Sequence, residues 1–419
     1  MLRWVEDTNL LIFILFCCCY AYQIIYVGVR LFKKMPYYTA KHMHRYAVLI
    51  AARDEGKVIG ELLGSIRTQN YPAGLIDIFV VADNCTDNTA DVARKYDATV
   101  FERFNTQYVG KGYALDYAFQ QIKRICGLRN YDGYMVFDAD NVLDENYVRE
   151  MNNVFDAGYC AVTSYRNSKN YGYNWISAGY ALWFLRESKY LNGARMMCHS
   201  SCAISGTGFL VSSNIVEEND GWHYHLLTED IQFTIDQVTR QQVIGYCEKA
   251  ILYDEQPVDF KTSWDQRLRW AKGFYQVIRS YGARLVRGCA KGKRFQCYDM
   301  LMTIAPATLL TVAMLAANII YISFGILAQR YAITVDALTQ IGICVFNLYF
   351  TLFLFGLITL ISEWKQIHCS AGKKVFYLFT FPLFMFTYLP IALAAIVNKK
   401  TDWVPVRHTF AMNASEIRR

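Results

Sequence analysis

Two aspartates at the end of an apolar run are the residues of this chain best suited to hold a metal ion. Asp138 and Asp140 follow the apolar stretch "YMVF", with Ala139 between them. In an extended backbone, residues two positions apart project to the same side, so both carboxylates face one way. They repel each other unless a cation lies beside them. The pattern favours a hard divalent ion completed by phosphate oxygens, although D-x-D spacing alone is also common by chance.

A second acidic pair begins a segment with helical periodicity. In "HLLTEDIQFTIDQV" (225–238), Thr228 is placed as an N-cap, and Glu229 and Asp230 follow it directly. The helix dipole favours an ionised carboxylate in the first turn, and an ionised carboxylate is suited to act as a base. Helix capping alone also explains these three residues.

A third pattern, "SWDQRLRWAKG" (263–273), combines cationic, amide and aromatic side chains. With 3.6 residues per turn, Gln266, Arg269 and Trp270 share one face of a helix, while Arg267 points elsewhere. An interfacial helix with snorkelling arginines and an aromatic belt is the alternative. That alternative suits the basic residues further along, but it explains Gln266, Arg269 and Trp270 less well.

Strands alternating with helices must position these residues. Three apolar runs, at 46–53, 76–83 and 133–141, are typical of buried strands, and helical patterns separate them. This alternation predicts a parallel, doubly wound α/β sheet. Ligands bind such sheets beyond the carboxyl ends of the strands, where the chain places Asp54, Glu55, Asp83, Asp138 and Asp140. Turn formation explains nearby Asp87 better than ligand binding does.

Long apolar runs at both ends of the chain predict an integral membrane protein. The composition is 54% hydrophobic, and long apolar runs lie near residues 10–29, 300–327, 333–361 and 375–397. Each is long enough to cross the apolar core of a bilayer. The first run is longer than a cleaved signal peptide, lacks a small-x-small cleavage site and has a basic flank after it.

The distribution of basic residues predicts a cytoplasmic central domain. Seven basic or imidazole side chains follow the first run: Arg30, Lys33, Lys34, Lys41, His42, His44 and Arg45. Positive residues favour the cytoplasmic side, and thirteen cysteines without a CxxC pair agree with it. The net charge of +7 fits anionic lipid headgroups and a phosphate-bearing ligand equally well.

The basic C-terminal tail conflicts with three full crossings after a cytoplasmic domain. Three crossings would place the tail outside, yet it carries Lys399, Lys400, Arg407, Arg418 and Arg419. Pro382 and Pro390 interrupt the last apolar run. Part of that run is therefore a candidate for an interfacial or re-entrant segment.

Five motifs together resemble membrane-bound family-2 glycosyltransferases. "VLIAARDE", "VVADNCTDNT", "VFDADN", "LLTED" and "QRLRW" occur in the order and rough spacing seen in the processive synthases of cellulose, hyaluronan and poly-N-acetylglucosamine. The resemblance covers residues from about 45 to 275. It implies a GT-A domain, with a Rossmann-like, mostly parallel sheet, joined to α-helical transmembrane segments.

The resemblance assigns residues to a UDP-sugar donor. Those implied to bind it are Ala52, Arg53, Glu55, Asp83, Lys111 and Arg269. Asp83 would contact the uracil, and Asp138 and Asp140 would carry the Mg²⁺ or Mn²⁺ that bridges the diphosphate. Arg269 would grip two oxygens of the leaving diphosphate, as a planar guanidinium can. A solvated lysine at a helix start is the alternative for Lys111.

The resemblance also assigns the acceptor side. Asp230 would be the general base that takes a proton from the acceptor hydroxyl. Trp270 would stack on the acceptor sugar, with Gln266 beside it. The full acceptor set implied is Ser205, Gly206, Thr207, Gly208, Glu229, Gln266 and Trp270.

These inferences predict five segments. They are an N-terminal transmembrane helix (1–33), a cytoplasmic GT-A domain (45–262), the QxxRW and amphipathic interface helices (263–298), about three C-terminal transmembrane helices (299–398) and a basic tail (399–419). No gating loop of the FxVTxK type and no C-terminal regulatory barrel is found, so control by a cyclic dinucleotide is not expected.

The predicted enzyme is an inverting, metal-dependent hexosyltransferase of a bacterial plasma membrane. It would add a sugar from UDP-glucose or UDP-N-acetylglucosamine to a β-linked polysaccharide and help export it. Four spans are few for a self-sufficient channel, so a homo-oligomer or accessory export proteins stay open as partners; no nucleic acid is expected. A lipid acceptor such as ceramide, diacylglycerol or a polyprenyl phosphate is the main alternative. A non-enzymatic transporter or scaffold is a lesser one.

Overall fold

An eight-stranded sheet organises the central part of the chain. A computed structural model describes residues 2–292, 294–398 and 408–418. Within them, the sheet has the order β3-β2-β1-β4-β7-β6-β8-β5. The strands are β1 (Tyr46–Ala52), β2 (Ile76–Asp83), β3 (Thr99–Arg103), β4 (Gly133–Asp138), β5 (Val142–Leu143), β6 (Ala161–Ser168), β7 (Phe209–Ser212) and β8 (Ile244–Asp254).

The first half of the sheet is parallel, and three of its four strands are apolar along most of their length. β1 pairs in parallel with β2 and β4, and β2 pairs in parallel with β3. Almost every residue of β1, β2 and β4 is buried, as expected when helices cover both faces of a sheet. Ala52 lies opposite Ala82, and Ala51 lies opposite Asp138. The carboxyl ends of these strands therefore meet at one edge, which we call the catalytic edge.

The second half of the sheet mixes directions. β7 is antiparallel to both β4 and β6, β6 is parallel to β8, and β5 is antiparallel to β8. Asp254, at the end of β8, thereby reaches the same edge as Asp138, because Asn141 just beyond β4 donates to its carboxylate. The prediction of a mostly parallel α/β sheet is confirmed, and the antiparallel strands β5 and β7 are additions to it.

Helices flank the sheet and continue beyond it. Those before α11 are α1 (Leu2–Tyr20), α2 (Tyr22–Phe32), α3 (Ile59–Arg67), α4 (Thr89–Arg94), α5 (Lys111–Ile125), α6 (Tyr147–Phe155), α7 (Trp175–Arg186), α8 (Gly193–Met197), α9 (Ser213–Glu218) and α10 (Glu229–Thr239). The later ones are α11 (Phe260–Ala290), α12 (Arg294–Ile304), α13 (Pro306–Leu327), α14 (Tyr331–Ser362), α15 (Ala371–Phe386), α16 (Tyr388–Val397) and α17 (Ala414–Ile417). A π-helical turn, Glu187–Asn192, joins α7 to α8.

Four helical segments are long and apolar enough to cross a membrane. They are Arg3–Phe32, Leu309–Leu327, Tyr331–Ser362 and Ala371–Val397. The last is divided at Thr387 into α15 and α16. Beyond it, Arg418 forms an ion pair with Asp144 of the sheet domain. The described end of the tail therefore lies against the sheet domain.

A buried ionic cluster fastens the first membrane segment to the rest of the chain. The Arg195 guanidinium on α8 donates to both oxygens of Asp299 on α12, at 2.7 and 2.8 Å. The hydroxyls of Tyr22 and Tyr26 on α2 donate to the same carboxylate at 2.9 and 2.8 Å. Arg195 and Asp299 are at most 1% exposed. Hydrogen bonds from three elements therefore satisfy the buried charge, as a buried ion pair requires.

Candidate active site

The predicted metal-binding aspartates lie in a tight turn at the end of β4. The backbone N–H of Asp138 donates to the Thr207 hydroxyl at 2.9 Å and to the Asn141 side chain at 3.2 Å. One Asp140 oxygen accepts from the backbone N–H of Glu255 at 3.1 Å. Asp140 is 2% exposed, whereas the Asp138 side chain is 35% exposed. Hydrogen bonds hold the turn on both sides. Of the two aspartates, only Asp138 is open to solvent.

Lys111 connects the D-x-D turn to the glycine-containing loop at 205–208. Its ammonium group forms an ion pair with Asp138 and donates to the carbonyl oxygen of Gly206 at 2.8 Å. Burial lowers the pKa of Lys111, but Asp138, Glu229 and Asp230 more than offset this, so the pKa lies above its usual value. The side chain is 16% exposed, which contradicts the alternative of a solvated lysine.

The loop at 205–208 carries the contact to Asp230. The backbone N–H of Gly206 donates to Asp230 at 2.5 Å. Gly206 and Gly208 have φ angles of +75° and +64°, a region that favours glycine. A methyl group on Gly208 would lie 1.9 Å from a Leu252 methyl carbon and 2.6 Å from the Ser164 hydroxyl. The loop therefore depends on glycine for both its conformation and its close packing.

Glu229 and Asp230 begin α10, as predicted. Burial raises the pKa of Glu229 to about 7, and the neighbouring Asp230 carboxylate adds to the shift while Lys111 opposes it. Burial also raises the pKa of Asp230, although the N–H groups of Ile231 and Gly206 oppose it. Two adjacent buried carboxylates thus share one cation and two backbone donors. Such a pair is suited to exchange a proton near neutral pH.

Thr228 occupies the N-cap position of α10 but does not cap it through its side chain. Its side chain lies against α11: a methyl group on Gly273 would be 2.5 Å from the Thr228 methyl carbon. The predicted N-cap position is confirmed, but the hydroxyl does not cap the helix. The packing explains why, and it brings the Gly273 face of α11 against the start of α10.

Gln266, Arg269 and Trp270 lie on α11, as predicted. Trp270 packs edge-on against Tyr180 and Phe184, with ring centroids 5.8 and 6.3 Å apart. The Gln266 carbonyl oxygen is buried and has no hydrogen-bond partner among the described residues. Arg269 is partly buried and forms no ion pair among those same residues. Both polar side chains are therefore available to a ligand.

Arg267 is not separated from Trp270 as predicted, because its guanidinium carbon lies 5.8 Å from the centroid of the same Tyr180 ring that Trp270 contacts. It is fully buried and donates to the Thr387 hydroxyl at 2.5 Å. Its guanidinium carbon lies 4.5 Å from the Phe384 ring centroid and 4.9 Å from that of Tyr388. Aromatic faces attract a cation, so Arg267 fastens α11 to the break between α15 and α16.

A group of side chains beside the 205–208 loop, Arg166, Asp254 and Glu187, was not predicted from the sequence. The Arg166 guanidinium donates to Asp254 at 2.8 Å and to the Ser205 carbonyl at 3.2 Å, and it lies 3.7 Å over the Phe184 ring. The Ser205 hydroxyl donates to Glu187 at 3.4 Å. Burial raises the pKa of Glu187, although Arg166 opposes the shift. A π-helical turn, a feature frequent at functional sites, begins at Glu187.

The predicted donor residues lie at the ends of β1 and β2. Asp83 accepts from the Arg103 guanidinium at 2.5 Å, and both side chains are buried. Burial raises the pKa of Asp83, while Arg103 and then Arg53 oppose the shift. The Ala52 carbonyl accepts from the Cys85 thiol at 3.4 Å. Arg103 was not predicted, because nothing in the spacing of β3 distinguishes it from a surface cation.

The C-terminal tail returns to this edge, which the sequence did not predict. The His408 imidazole lies 2.9 Å from Glu55 and 3.9 Å from Asp140. The backbone N–H groups of Thr409 and Phe410 donate to Glu255 at 2.9 and 3.0 Å. Burial lowers the pKa of His408, but the surrounding carboxylates, Asp140 first, raise it to about 10. Lys399, Lys400, Arg407 and Arg419 lie outside the described residues.

The donor set at the catalytic edge fits a hard divalent cation. Asp138 and Asp140 supply carboxylate oxygens, which Mg²⁺ and Mn²⁺ prefer. Burial raises the pKa of Glu55, with smaller contributions from Asp140 and Asp138, so these carboxylates repel one another. In this structure Lys111 and His408 supply the positive charge beside them.

Comparisons with known proteins agree with this geometry. The family model described as "Glycosyltransferase like family 2" matches residues 44–273. Probable glycosyltransferase YdaM of Bacillus subtilis is 27% identical over 59% of this chain and 59% of its own length. Beta-monoglucosyldiacylglycerol synthase of Nostoc is 25% identical over 61% and 54%, respectively. Poly-beta-1,6-N-acetyl-D-glucosamine synthase of Staphylococcus epidermidis is 24% identical over 68% and 66%.

This chain thus spans between about half and two thirds of the length of these curated relatives. The mannosyltransferase PcManGT from Pyrobaculum calidifontis, solved with GDP-Man and Mn²⁺, superposes with a TM-score of 0.55 over 96% of this chain and 100% of its own, at 15% identity. That likeness shows the fold, which is GT-A with a helical region that includes four candidate membrane spans. Since the family model covers more than half of the 419 residues, the chain belongs to glycosyltransferase family 2.

Proposed function

We propose that this transferase moves a sugar from UDP-glucose or UDP-N-acetylglucosamine to a growing β-linked polysaccharide, with inversion at the anomeric carbon. The observation that carries the proposal is the position of Lys111, which contacts Asp138 on one side and the Gly206 carbonyl on the other. Gly206 in turn donates to Asp230. The expected metal ligand and the expected base are therefore linked through one cation and one loop.

Asp230 takes the proton from the attacking hydroxyl of the acceptor. The Gly206 N–H orients the carboxylate through one oxygen, which leaves the other oxygen for the acceptor. A raised pKa strengthens a carboxylate as a base, provided that it is ionised at the working pH. Lys111 lowers the pKa of Asp230 and so keeps the ionised form populated despite burial.

The departing UDP is stabilised from two sides. Asp138 and Asp140 would hold Mg²⁺ or Mn²⁺, which neutralises negative charge on the diphosphate when it is bound. Arg269 donates to the diphosphate from α11, where the described residues offer it no carboxylate partner. Ala52, Arg53, Glu55 and Asp83 surround the uridine.

The acceptor sugar lies between the start of α10 and the aromatic face of α11. Trp270 is held edge-on by Tyr180 and Phe184, so its indole ring has a fixed orientation. The unpaired carbonyl oxygen of Gln266 accepts from a sugar hydroxyl. The relative named poly-beta-1,6-N-acetyl-D-glucosamine synthase supports a polysaccharide product.

The catalytic domain faces the cytoplasm in this proposal, and the chain crosses the membrane several times. The basic residues after the first span support this orientation. α11 leads from the acceptor face into α12 and the membrane segments, so the product would leave the site beside the bilayer.

A lipid acceptor is the second candidate. Relatives named beta-monoglucosyldiacylglycerol synthase match a similar share of the chain. The site lies next to apolar helices from which a lipid hydroxyl could reach Asp230. With a radiolabelled donor, a product that extracts into organic solvent as one species would support the lipid, and a size-distributed aqueous product would support the polymer.

The role of Asp230 is tested by Asp230→Asn in purified protein. Transfer should be abolished while UDP binding, measured by calorimetry, stays within about twofold, because the base lies on the acceptor side. Asp265→Asn, an exposed position on α11, is the matched control and should keep full activity. Wild-type turnover in Asp230→Asn would exclude the assignment.

A further inference from the structure

An open cavity lies where the first membrane segment meets the sheet domain. Its volume is about 440 Å³, within the range of sites that hold small molecules. Three parts of the chain form most of its wall: the linker after α2, α6 and the middle of β8. The lining residues used below are Arg30, Lys33, Lys34, Tyr37, Lys189 and Lys249.

The lining carries an excess of positive charge. Five of its side chains are cationic, and two, Glu150 and Glu248, are anionic. Arg30 forms an ion pair with Glu248, and Lys189 forms one with Glu363. Lys33, Lys34 and Lys249 are exposed and have no carboxylate partner among the described residues. Three ammonium groups thus remain for an anion.

One of these lysines is held in position. The Lys249 ammonium lies 3.8 Å from the centroid of the Tyr37 ring, a contact that orients it toward the linker. Arg30 is buried and also donates to the Lys189 carbonyl at 3.1 Å. The floor of the cavity is therefore fixed by an ion pair and an aromatic contact, while Lys33 and Lys34 form a charged rim.

The cavity lies at the depth of lipid headgroups. The first candidate span ends at Phe32, and Leu31 and Phe32 are 54% and 89% exposed. The span that ends at Ser362 reaches the same place, because Glu363 pairs with Lys189. Along β8, the lining residue Glu248 is six positions, or about 20 Å at about 3.3 Å per residue, from Asp254 at the catalytic edge. The cavity is thus separate from the site of transfer.

We propose that this cavity binds the headgroup of an anionic phospholipid. The phosphodiester would lie among Lys33, Lys34 and Lys249, and the acyl chains would run along the exposed side chains of Leu31 and Phe32. A net negative headgroup matches the lining better than a zwitterionic one does. The bound lipid would fasten the domain to the bilayer surface, independently of which sugar is transferred.

The test is lipid retention by the full chain in detergent, measured by native mass spectrometry with phosphatidylglycerol and phosphatidylcholine. Wild type should retain one phosphatidylglycerol more tightly than phosphatidylcholine. The variant Lys33→Gln/Lys34→Gln/Lys249→Gln should bind phosphatidylglycerol about 100-fold more weakly, since each lysine near an anionic headgroup contributes about fivefold. The control Lys57→Gln/Lys95→Gln/Arg124→Gln removes three exposed charges elsewhere and should bind as wild type does.

Two results would overturn the proposal. One is equal loss of phosphatidylglycerol from both triple variants, which would indicate general attraction to a basic protein. The other is displacement of the lipid by millimolar inorganic phosphate, which would indicate a site for a soluble anion. Circular dichroism and UDP binding of the variants should match wild type, so that unfolding is distinguished from loss of the site.

Discussion

Glu255→Gln should release the C-terminal tail from the catalytic edge. Glu255 is 7% exposed, and its carboxylate accepts from the N–H groups of Thr409 and Phe410 at 2.9 and 3.0 Å. A glutamine retains one acceptor oxygen, but it turns an amide NH₂ group toward an N–H donor. A hydrogen bond to a charged group contributes about 1.5–3 kcal/mol, so losing one raises the undocked fraction by about 10- to 150-fold.

Hydrogen exchange, followed by mass spectrometry, measures the undocked fraction of the tail directly. The amides of Thr409 and Phe410 are the ones bonded to Glu255, so the C-terminal peptide should exchange about 10- to 150-fold faster in the variant. Glu416→Gln is the control, because Glu416 is exposed and bonds only within the tail, to the Asn413 N–H. Unchanged exchange in Glu255→Gln would refute the view that this carboxylate holds the tail.

Three further perturbations test the site and its support. Glu229→Gln should remove a titration near pH 7 from the kcat/KM profile, because burial and the Asp230 charge raise the pKa of Glu229 to about 7 and a glutamine does not titrate. Asp299→Ala leaves the Arg195 guanidinium buried and unpaired, so it should lower the free energy of unfolding by about 3–5 kcal/mol. Gly208→Ala should lower kcat more than it weakens UDP binding, because a methyl group there displaces the 205–208 loop.

Controls separate these effects from general damage. Lys123→Ala breaks an exposed ion pair with Asp220 and should cost less than about 1 kcal/mol; an equal loss in Asp299→Ala would contradict the importance of burial. A titration near pH 7 that persists in Glu229→Gln would show that another group causes it. A Gly208→Ala variant with wild-type kcat would show that the loop accommodates a side chain.

The elements that present the acidic residues could be predicted because their signals are local. β1, β2 and β4 are mostly apolar runs with an acidic residue at the strand end or just beyond it, and parallel strands with buried faces have that pattern. The period of 3.6 residues placed Gln266, Arg269 and Trp270 on α11, but it did not show that Arg267 reaches the same aromatic cluster as Trp270. The roles of these residues in catalysis stay predictions.

What the sequence did not reveal depends on tertiary contacts. β7 is a four-residue strand, too short for its alternation to be recognised. The contact between His408 and Glu55 joins positions more than three hundred residues apart, and the tail carries no periodicity that points to the sheet. The Thr228 hydroxyl lies under Gly273 of α11 and does not cap α10. Capping rules do not consider such a neighbour from another helix.

The length of α11 has a mechanical consequence. The helix runs unbroken for 31 residues, or about 46 Å at about 1.5 Å per residue. Trp270 lies about a third of the way along it, and Leu285, about fifteen residues further on, packs with Cys297 and Met300 of α12. Because about fifteen residues span about 22 Å, a tilt of about 2° about Leu285 displaces the position of Trp270 by about 0.8 Å. A displacement of α12 is therefore passed along α11 to the residues around Trp270.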